Sequence, residues 1–379
     1  QFCSADSVAL TVPSIRAEYK AHISESEIKG TFTQMGQSFT LNLKPEQALT
    51  ERRPQTPRAP FPYQQIDTTF TSADGTFLAG TLTIPLTADS RPMPAVVMVT
   101  GSGPQNRDEE VFDHRPFAVI ADALARKGII SFRYDDRGVG HSGGDFTKAT
   151  ISDFRDDAAA ALTMLKELPQ AGKTGMLGHS EGGTIALMLG ADAQPDFVIS
   201  LAGMAEKGKD LLLEQNRHAL EKTAMSKDDI EKVLKLLSRG FDDIIAGTNP
   251  NDIDLNAYAA EYGVPSMMVP MLKQGLAGMQ GEYMRQFVAL NPRECLGKIA
   301  CPVLALNGEN DTQVNGTRNL QIIDDNVRDA RIKSYPGLNH LFQPSATGEI
   351  SEYESIPTTI SPDVLNDIVG FILKQIRQP

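Results

Sequence analysis

Gly178-His179-Ser180-Glu181-Gly182 sets a serine between two glycines, each two residues away. The apolar run Thr174–Leu177 precedes it, and Gly182–Leu189 has the pattern of a helix. A strand turning sharply into a helix projects the serine hydroxyl from strained backbone, and the helix N-terminus adds positive potential beside it. Ser180 is therefore the expected nucleophile. A serine hydroxyl at neutral pH needs a base, and the base needs an acid to orient it. In this strand–turn–helix setting they follow in the chain order serine, acid, histidine. Only His218 and His340 lie downstream. His218 falls in a helical stretch, where a surface or core role is expected. His340 follows Pro336-Gly337-Leu338-Asn339 in a loop after the strand Arg331–Tyr335, and it is the expected base. The acid belongs after the preceding strand, Val303–Leu306, where Asn307-Gly308-Glu309-Asn310-Asp311 offers two carboxylates. Asp311, carried further along the loop by the turn at Gly308, is the first choice. Glu309 is the reserve and Glu206 a remote third.

Acyl transfer by such a group also needs two preorganised N–H donors for the oxyanion. One is expected from the backbone of Glu181, next to the nucleophile. The other is expected from Ser102 in Gly101-Ser102-Gly103-Pro104-Gln105, where Gly101 and Gly103 let the backbone turn toward a substrate. Two other glycine motifs resemble nucleotide sites. Gly138-Val139-Gly140-His141-Ser142-Gly143 matches G-x-G-x-x-G, but the next helix begins only near Ser152, too late to meet a pyrophosphate. Gly172-Lys173-Thr174 resembles a P-loop tail, yet Glu167 stands where its first glycine belongs. Neither is read as a cofactor site, and no cofactor or metal is expected.

These residues need a scaffold, and the chain supplies one from residue 63 onward. Ile66–Ser72 and Thr76–Ile84 predict a hairpin around Asp74-Gly75. Strands over Ala95–Thr100, Ile129–Tyr134, Thr174–Leu177, Phe197–Ala202, Val303–Leu306 and Arg331–Tyr335 alternate with helices over Phe117–Lys127, Ser152–Leu168 (capped by Ser152), Gly182–Leu189, Thr317–Asp324 and Pro362–Ile376. That alternation predicts an α/β fold with a mostly parallel, eight-stranded sheet covered on both faces. Residues 204–298 break the rhythm with helical periodicity alone and read as an inserted cap. Seven of the 13 methionines fall there, and Met267, Met268 and Met271 are the expected lining of a substrate pocket.

Residues 1–50 read as β-rich, with strands over Ser7–Val12, Ile28–Thr33 and Ser38–Leu43 and turns at Gly30 and Gly36. About 45 residues bury too little core to stand alone, so the segment is expected to belong to something larger. The Pro-rich stretch 51–62 reads as an extended linker.

Composition narrows the partners. The 379 residues carry 36 basic and 48 acidic side chains, a net charge of −12, which disfavours a general affinity for nucleic acid or anionic membrane. No apolar run reaches the roughly 18 residues of a membrane span. Three cysteines make no disulfide framework, and Cys295 and Cys301 are read as free thiols.

Gly101–Glu109, Arg133–Gly140, the Ser180 motif and Asn339-His340-Leu341-Phe342-Gln343 together resemble the EstD-type bacterial carboxylesterases of the α/β-hydrolase superfamily, over about residues 63–379. Asn106 stands where that pattern usually has Asp. The resemblance implies an esterase acting on a small-molecule ester, with its triad on Ser180, Asp311 and His340. Residues 28–43 resemble the tail of a β-rich N-terminal domain of related Bacteroidetes hydrolases. That implies a chain incomplete at its N-terminus and an exported, periplasmic or secreted setting, with a cytoplasmic one as the alternative. The rival readings are a serine peptidase of the S9 or S33 kind, an acyl thioesterase, and a catalytically silent binding module. An aminoacyl-amide set against an ester, and labelling of Ser180 by a fluorophosphonate, separate them.

Overall fold

A computed structural model of the chain describes residues 2–3, 6–13, 17–24, 27–34, 37–43, 52–86 and 91–376. The chain divides into two compact units, Gln1–Arg52 and Arg53–Pro379.

The first unit is an antiparallel meander of β1 (Phe2–Cys3), β2 (Ser7–Val12), β3 (Ala17–Ile23), β4 (Ile28–Gln34) and β5 (Gln37–Leu43). The strand over 17–23 was not anticipated. Its residues do alternate, but alanine fills two of the apolar positions and weakens the period-2 signal. Gly30 is a correction too: it lies inside β4, opposite Ala21, and not in a turn. A Cβ there would fall 2.4 Å from the Tyr19 ring, so glycine makes room for the ring to cross the sheet. The Tyr19 hydroxyl then donates to the Leu41 carbonyl at 2.9 Å. Gly36 and residues 44–51 lie outside the described residues.

The second unit holds β6 (Tyr63–Thr71), β7 (Phe77–Pro85), β8 (Met93–Val99), β9 (Ile130–Tyr134), β10 (Ala171–His179), β11 (Phe197–Leu201), β12 (Val303–Gly308) and β13 (Ala330–Tyr335). They form one eight-stranded sheet in the order β13-β12-β11-β10-β8-β9-β7-β6. The six strands from β13 to β9 pair in parallel, and the hairpin β6–β7 adds an antiparallel edge. Strands β9, β11 and β12 are buried along their whole length, as sequences covered on both faces must be. Helices α1 (Pro116–Ala125) and α11 (Pro362–Ile376) contribute to the core on one face, and α2 (Ile151–Lys166), α3 (Glu181–Ala191) and α10 (Gly316–Asn326) to that on the other. This is the α/β architecture anticipated from the strand–helix alternation.

Helix α2 starts earlier than expected. Its N-cap is Thr150, not Ser152, and Thr150 and Asp153 complete a reciprocal capping box. Between β11 and β12 the chain makes α4 (Gly208–Glu221), α5 (Lys227–Ile245), α6 (Leu255–Tyr262), α7 (Val269–Ala277), α8 (Glu282–Ala289) and the single turn α9 (Arg293–Leu296). This insertion has its own core, in which α5 buries Ile230, Val233, Leu234, Leu236, Leu237, Phe241 and Ile244. Full burial of each such side chain contributes roughly 1.5–3 kcal/mol.

Arg53–Pro62, most of the expected linker, belongs to the second unit. The buried Arg53 guanidinium donates to the carbonyls of Phe112, Glu354 and Ile356 at 2.6 to 3.1 Å. Gln55 binds the backbone of Thr359 and Ile360. The stretch is a strap tied across the second unit. Among the described residues, no helix is long and apolar enough to cross a membrane. Cys295 and Cys301 are free thiols.

Candidate active site

Parallel strands deliver their following loops to one edge of the sheet, where α/β folds gather ligands. The loops after β8, β10, β12 and β13 carry Ser102, Ser180, Asp311 and His340 to that edge. Ser180 joins β10 to α3 with φ +52° and ψ −119°, a backbone that non-glycine residues rarely adopt. The flanking glycines make the turn physically possible. A Cβ on Gly178 would lie 1.9 Å from the Gly182 carbonyl, and one on Gly182 would lie 2.1 Å from the Val99 carbonyl. The Ser180 N–H donates to Leu201 O at 2.8 Å, which anchors the elbow to β11.

His340 and Asp311 meet on neighbouring loops. His340 Nδ1–H donates to Asp311 Oδ2 at 2.7 Å, with the two side chains 3% and 0% exposed. The other carboxylate oxygen accepts from the Gln313 and Val314 N–H groups at 2.8 and 2.9 Å. Asn310 N–H reaches across to Leu338 O at 2.9 Å, and the close approach of the loops leaves no space for a side chain at Gly308. Asn339, fully buried, accepts from the N–H groups on the far side of His340, those of Leu341 and Gln343. The alternative acids are engaged elsewhere. Glu309 accepts from Ser334 Oγ at 3.0 Å, and Glu206 binds Arg318 and Asn319. His218 pairs with Glu349 at 2.9 Å.

Ser180 and His340 face one cavity of about 660 Å³, which Gly101, Ser102, Gly103 and Glu181 also line. Its apolar wall comes from Phe146, Phe154, Tyr283, Phe287 and Tyr353 with Met204, Met284, Leu211, Leu212 and Leu290. Met267, Met268 and Met271 do not line it, which corrects the sequence expectation. Helix α7 turns Val269, Leu272 and Leu276 into the insertion core, so Met267 and Met271 are left 85% and 55% exposed. Met268 packs against that same core. The relevant methionines are Met204, just after β11, and Met284, on α8.

Residues outside the expected set brace the site. Asp136 accepts from Thr100 Oγ1 at 2.8 Å and from Gln105 N–H at 3.0 Å. Burial pushes its carboxyl up to about 8 against those two bonds, and the nearby Glu109 and Glu181 add to the rise. Asp135 holds Arg107 through two oxygens at 2.7 to 3.0 Å and also accepts from the backbone of Arg107 and His141. Gly140 wraps that carboxylate at positive φ, where a Cβ would lie 2.5 Å from Asp135 Oδ2. The G-x-G-x-x-G run thus closes around an aspartate. Glu181 accepts from Ser102 Oγ at 3.3 Å and from the Tyr283 hydroxyl of α8. Burial raises its carboxyl above the usual range, against both bonds. Glu109 Oε1 takes the Gly101 N–H at 2.7 Å and faces His179 Nδ1 at 2.9 Å. Among the described residues, no cluster of side chains could hold a metal ion, and no Lys or Arg lines the cavity.

Est1E from Butyrivibrio proteoclasticus, solved with ferulic acid bound, superposes with a TM-score of 0.51 at 16% identity, covering 82% of this chain and all of that one. A hypothetical protein from Pseudomonas aeruginosa gives 0.52 at 16% identity, over 88% of this chain and 99% of its own. At such identities the likeness is one of fold, the α/β-hydrolase fold. Esterase EstD of Thermotoga maritima is 31% identical over 162 residues, 43% of this chain but only 38% of the relative's length. The family model described as X-Pro dipeptidyl-peptidase (S15 family) matches residues 74–324, which take in the sheet from β7 to β12 and the Ser180 elbow. The chain belongs to the S15 family.

Proposed function

We propose that this protein is a serine hydrolase that cleaves carboxylic esters through an acyl-enzyme. The observation that carries the reading is the His340–Asp311 hydrogen bond at 2.7 Å beside a strained Ser180 on a shared cavity. In this reading Ser180 Oγ attacks the ester carbonyl while His340 Nε2 takes its proton. Asp311 holds the imidazole in the tautomer that leaves Nε2 free, and it steadies the imidazolium that forms. The backbone N–H groups of Ser102 and Glu181 receive the oxyanion; that of Glu181 sits in the first turn of α3, where no intrahelical acceptor exists. His340 then protonates the leaving alcohol, and water, activated by the same imidazole, releases the acid.

The helices between β11 and β12 act as a cap, with Tyr283, Met284 and Phe287 closing the pocket over the nucleophile. A cavity of about 660 Å³ with aromatic walls suits small and medium esters. The named activity of the Thermotoga relative supports an ester substrate. The family's description favours a second reading, cleavage of a peptide bond after proline. Thioesters of coenzyme A are disfavoured, because among the described residues no Lys or Arg lines the cavity to meet phosphate groups.

Ser180→Ala should abolish hydrolysis of p-nitrophenyl acetate, and wild-type turnover by that variant would rule the mechanism out. The substrate class is read by comparing p-nitrophenyl butyrate with an aminoacyl-prolyl p-nitroanilide. The ester should show the higher kcat/KM; a reversed order would install the peptidase reading.

A further inference from the structure

His179 precedes the nucleophile and borders the same cavity, yet both of its ring nitrogens are turned to protein acceptors. Nδ1 faces Glu109 Oε1 at 2.9 Å and Nε2 faces the His340 carbonyl oxygen at 2.9 Å. Both partners are acceptors. A neutral imidazole has one N–H and one lone pair, so beside an ionised Glu109 it would leave one of these contacts as lone pair against lone pair, in a buried site. Only the doubly protonated ring donates to both. Its counter-charge is at hand, because Glu109 is itself buried and held at φ +51°. The same Glu109 oxygen accepts the Gly101 N–H at 2.7 Å, at the start of the loop that carries Ser102.

A continuous chain of bonds results: Gly101 N–H to Glu109, Glu109 to His179, and His179 to the backbone of His340. It joins the loop after β8 to the loop after β13 and passes directly behind Ser180. The titratable groups around His179 are Glu109, His340, whose ring centroid lies 4.7 Å away, and Asp311. Burial works against a charge on His179, but the Glu109 carboxylate, its hydrogen bond, the His340 carbonyl and Asp311 outweigh it and raise the pKa.

We propose that His179 and Glu109 form a buried imidazolium–carboxylate pair that positions the oxyanion loop and the His340 loop relative to Ser180. This rests on the serine-hydrolase reading above. Both act as positioning residues, through the two loops that they tie. Because the His179 pKa is raised, the link is intact below it and is lost as pH rises through it.

The test reads Ser180 directly, through its second-order rate of labelling by a fluorophosphonate at varied pH. His179→Asn keeps a donor near Glu109 alone, and His179→Gln keeps one near the His340 carbonyl alone. Each should label about 10- to 100-fold more slowly than wild type, the scale of a small misplacement of reacting groups. Glu109→Gln removes the counter-charge, so the alkaline fall in the labelling rate should move toward neutral pH. Rates within about twofold of wild type in both histidine variants would overturn the proposal. An alkaline limb unmoved in Glu109→Gln would do so too, even with a lowered Tm, because a purely structural role predicts that result. If a histidine variant does not fold, the Glu109→Gln limb alone decides. Absence of labelling in wild type would sink the serine-hydrolase reading itself, and is told apart by the wild-type control.

Discussion

At the scale of single residues, the Asp311 carboxylate is fixed before any substrate arrives, since one oxygen holds His340 and the other two backbone N–H groups. Asp311→Asn keeps the shape but reverses the hydrogen-bond sense toward Nδ1, which selects the wrong tautomer. Its kcat on p-nitrophenyl acetate should fall by about 10⁴, as in the serine-protease precedent. Glu309→Gln should leave kcat close to wild type, because that side chain serves Ser334 at the sheet edge. A loss of that size in Glu309→Gln, with Asp311→Asn near wild type, would return the acid assignment to Glu309. The placement of Ser180, Asp311 and His340 on adjoining loops was legible because the chemistry needs those residue types in that order after successive strands. Glu109 and His179 were not legible in these roles. Their pairing depends on the loop after β8 folding back beneath the elbow, an approach that no local period encodes.

At the scale of elements, helix α2 shows how much a cap controls. Thr150 accepts from the Asp153 N–H, and the Asp153 side chain returns to the Thr150 N–H at 2.8 Å. Thr150→Ala should cost about 1 kcal/mol of stability by urea unfolding. Its kcat should not change, since α2 reaches the cavity only through Phe154. A large kcat loss without a stability change would mean the cap tunes the pocket. The box is written in the sequence as Thr150-Ile151-Ser152-Asp153, and choosing Ser152 missed it by two residues because serine is the stronger cap by rank. The methionine expectation failed for a different reason. Met267 and Met271 are four residues apart and share a face, but Val269, Leu272 and Leu276 make the face that α7 buries. Composition located the insertion; only packing of α8 against α2, through Tyr283 on Phe154 and Gln286 on Ser152, selected Met284 for the pocket.

At the scale of the whole molecule, buried carboxylates leave a signature in the pH dependence of stability. Asp136 is held up to about 8 in the native state against roughly 3.9 in the unfolded chain. Between those values the native state binds a proton that the unfolded chain lacks. Stability therefore falls as pH rises from about 4 to about 8. Asp136→Asn should flatten that slope, measured by urea unfolding at pH 5 and pH 8; an unchanged slope would show that Asp136 is ionised in the native state. The division into units carries the final consequence. Every residue assigned to the site, from Gly101 to His340, lies in Arg53–Pro379, as do both faces of the sheet and their cores. The strap at Arg53 and Gln55 ties to Phe112, Glu354 and Thr359–Ile360, so it closes the second unit from within. A chain of residues 53–379 should fold cooperatively and keep kcat/KM for p-nitrophenyl butyrate near that of the full chain. One beginning at residue 63 should lose thermal stability, because the Phe112, Glu354 and Ile356 carbonyls would lose their shared buried cation. If instead the 53–379 chain folds but is inactive, activity requires residues 1–52 and the assignment of the whole site to the second unit fails.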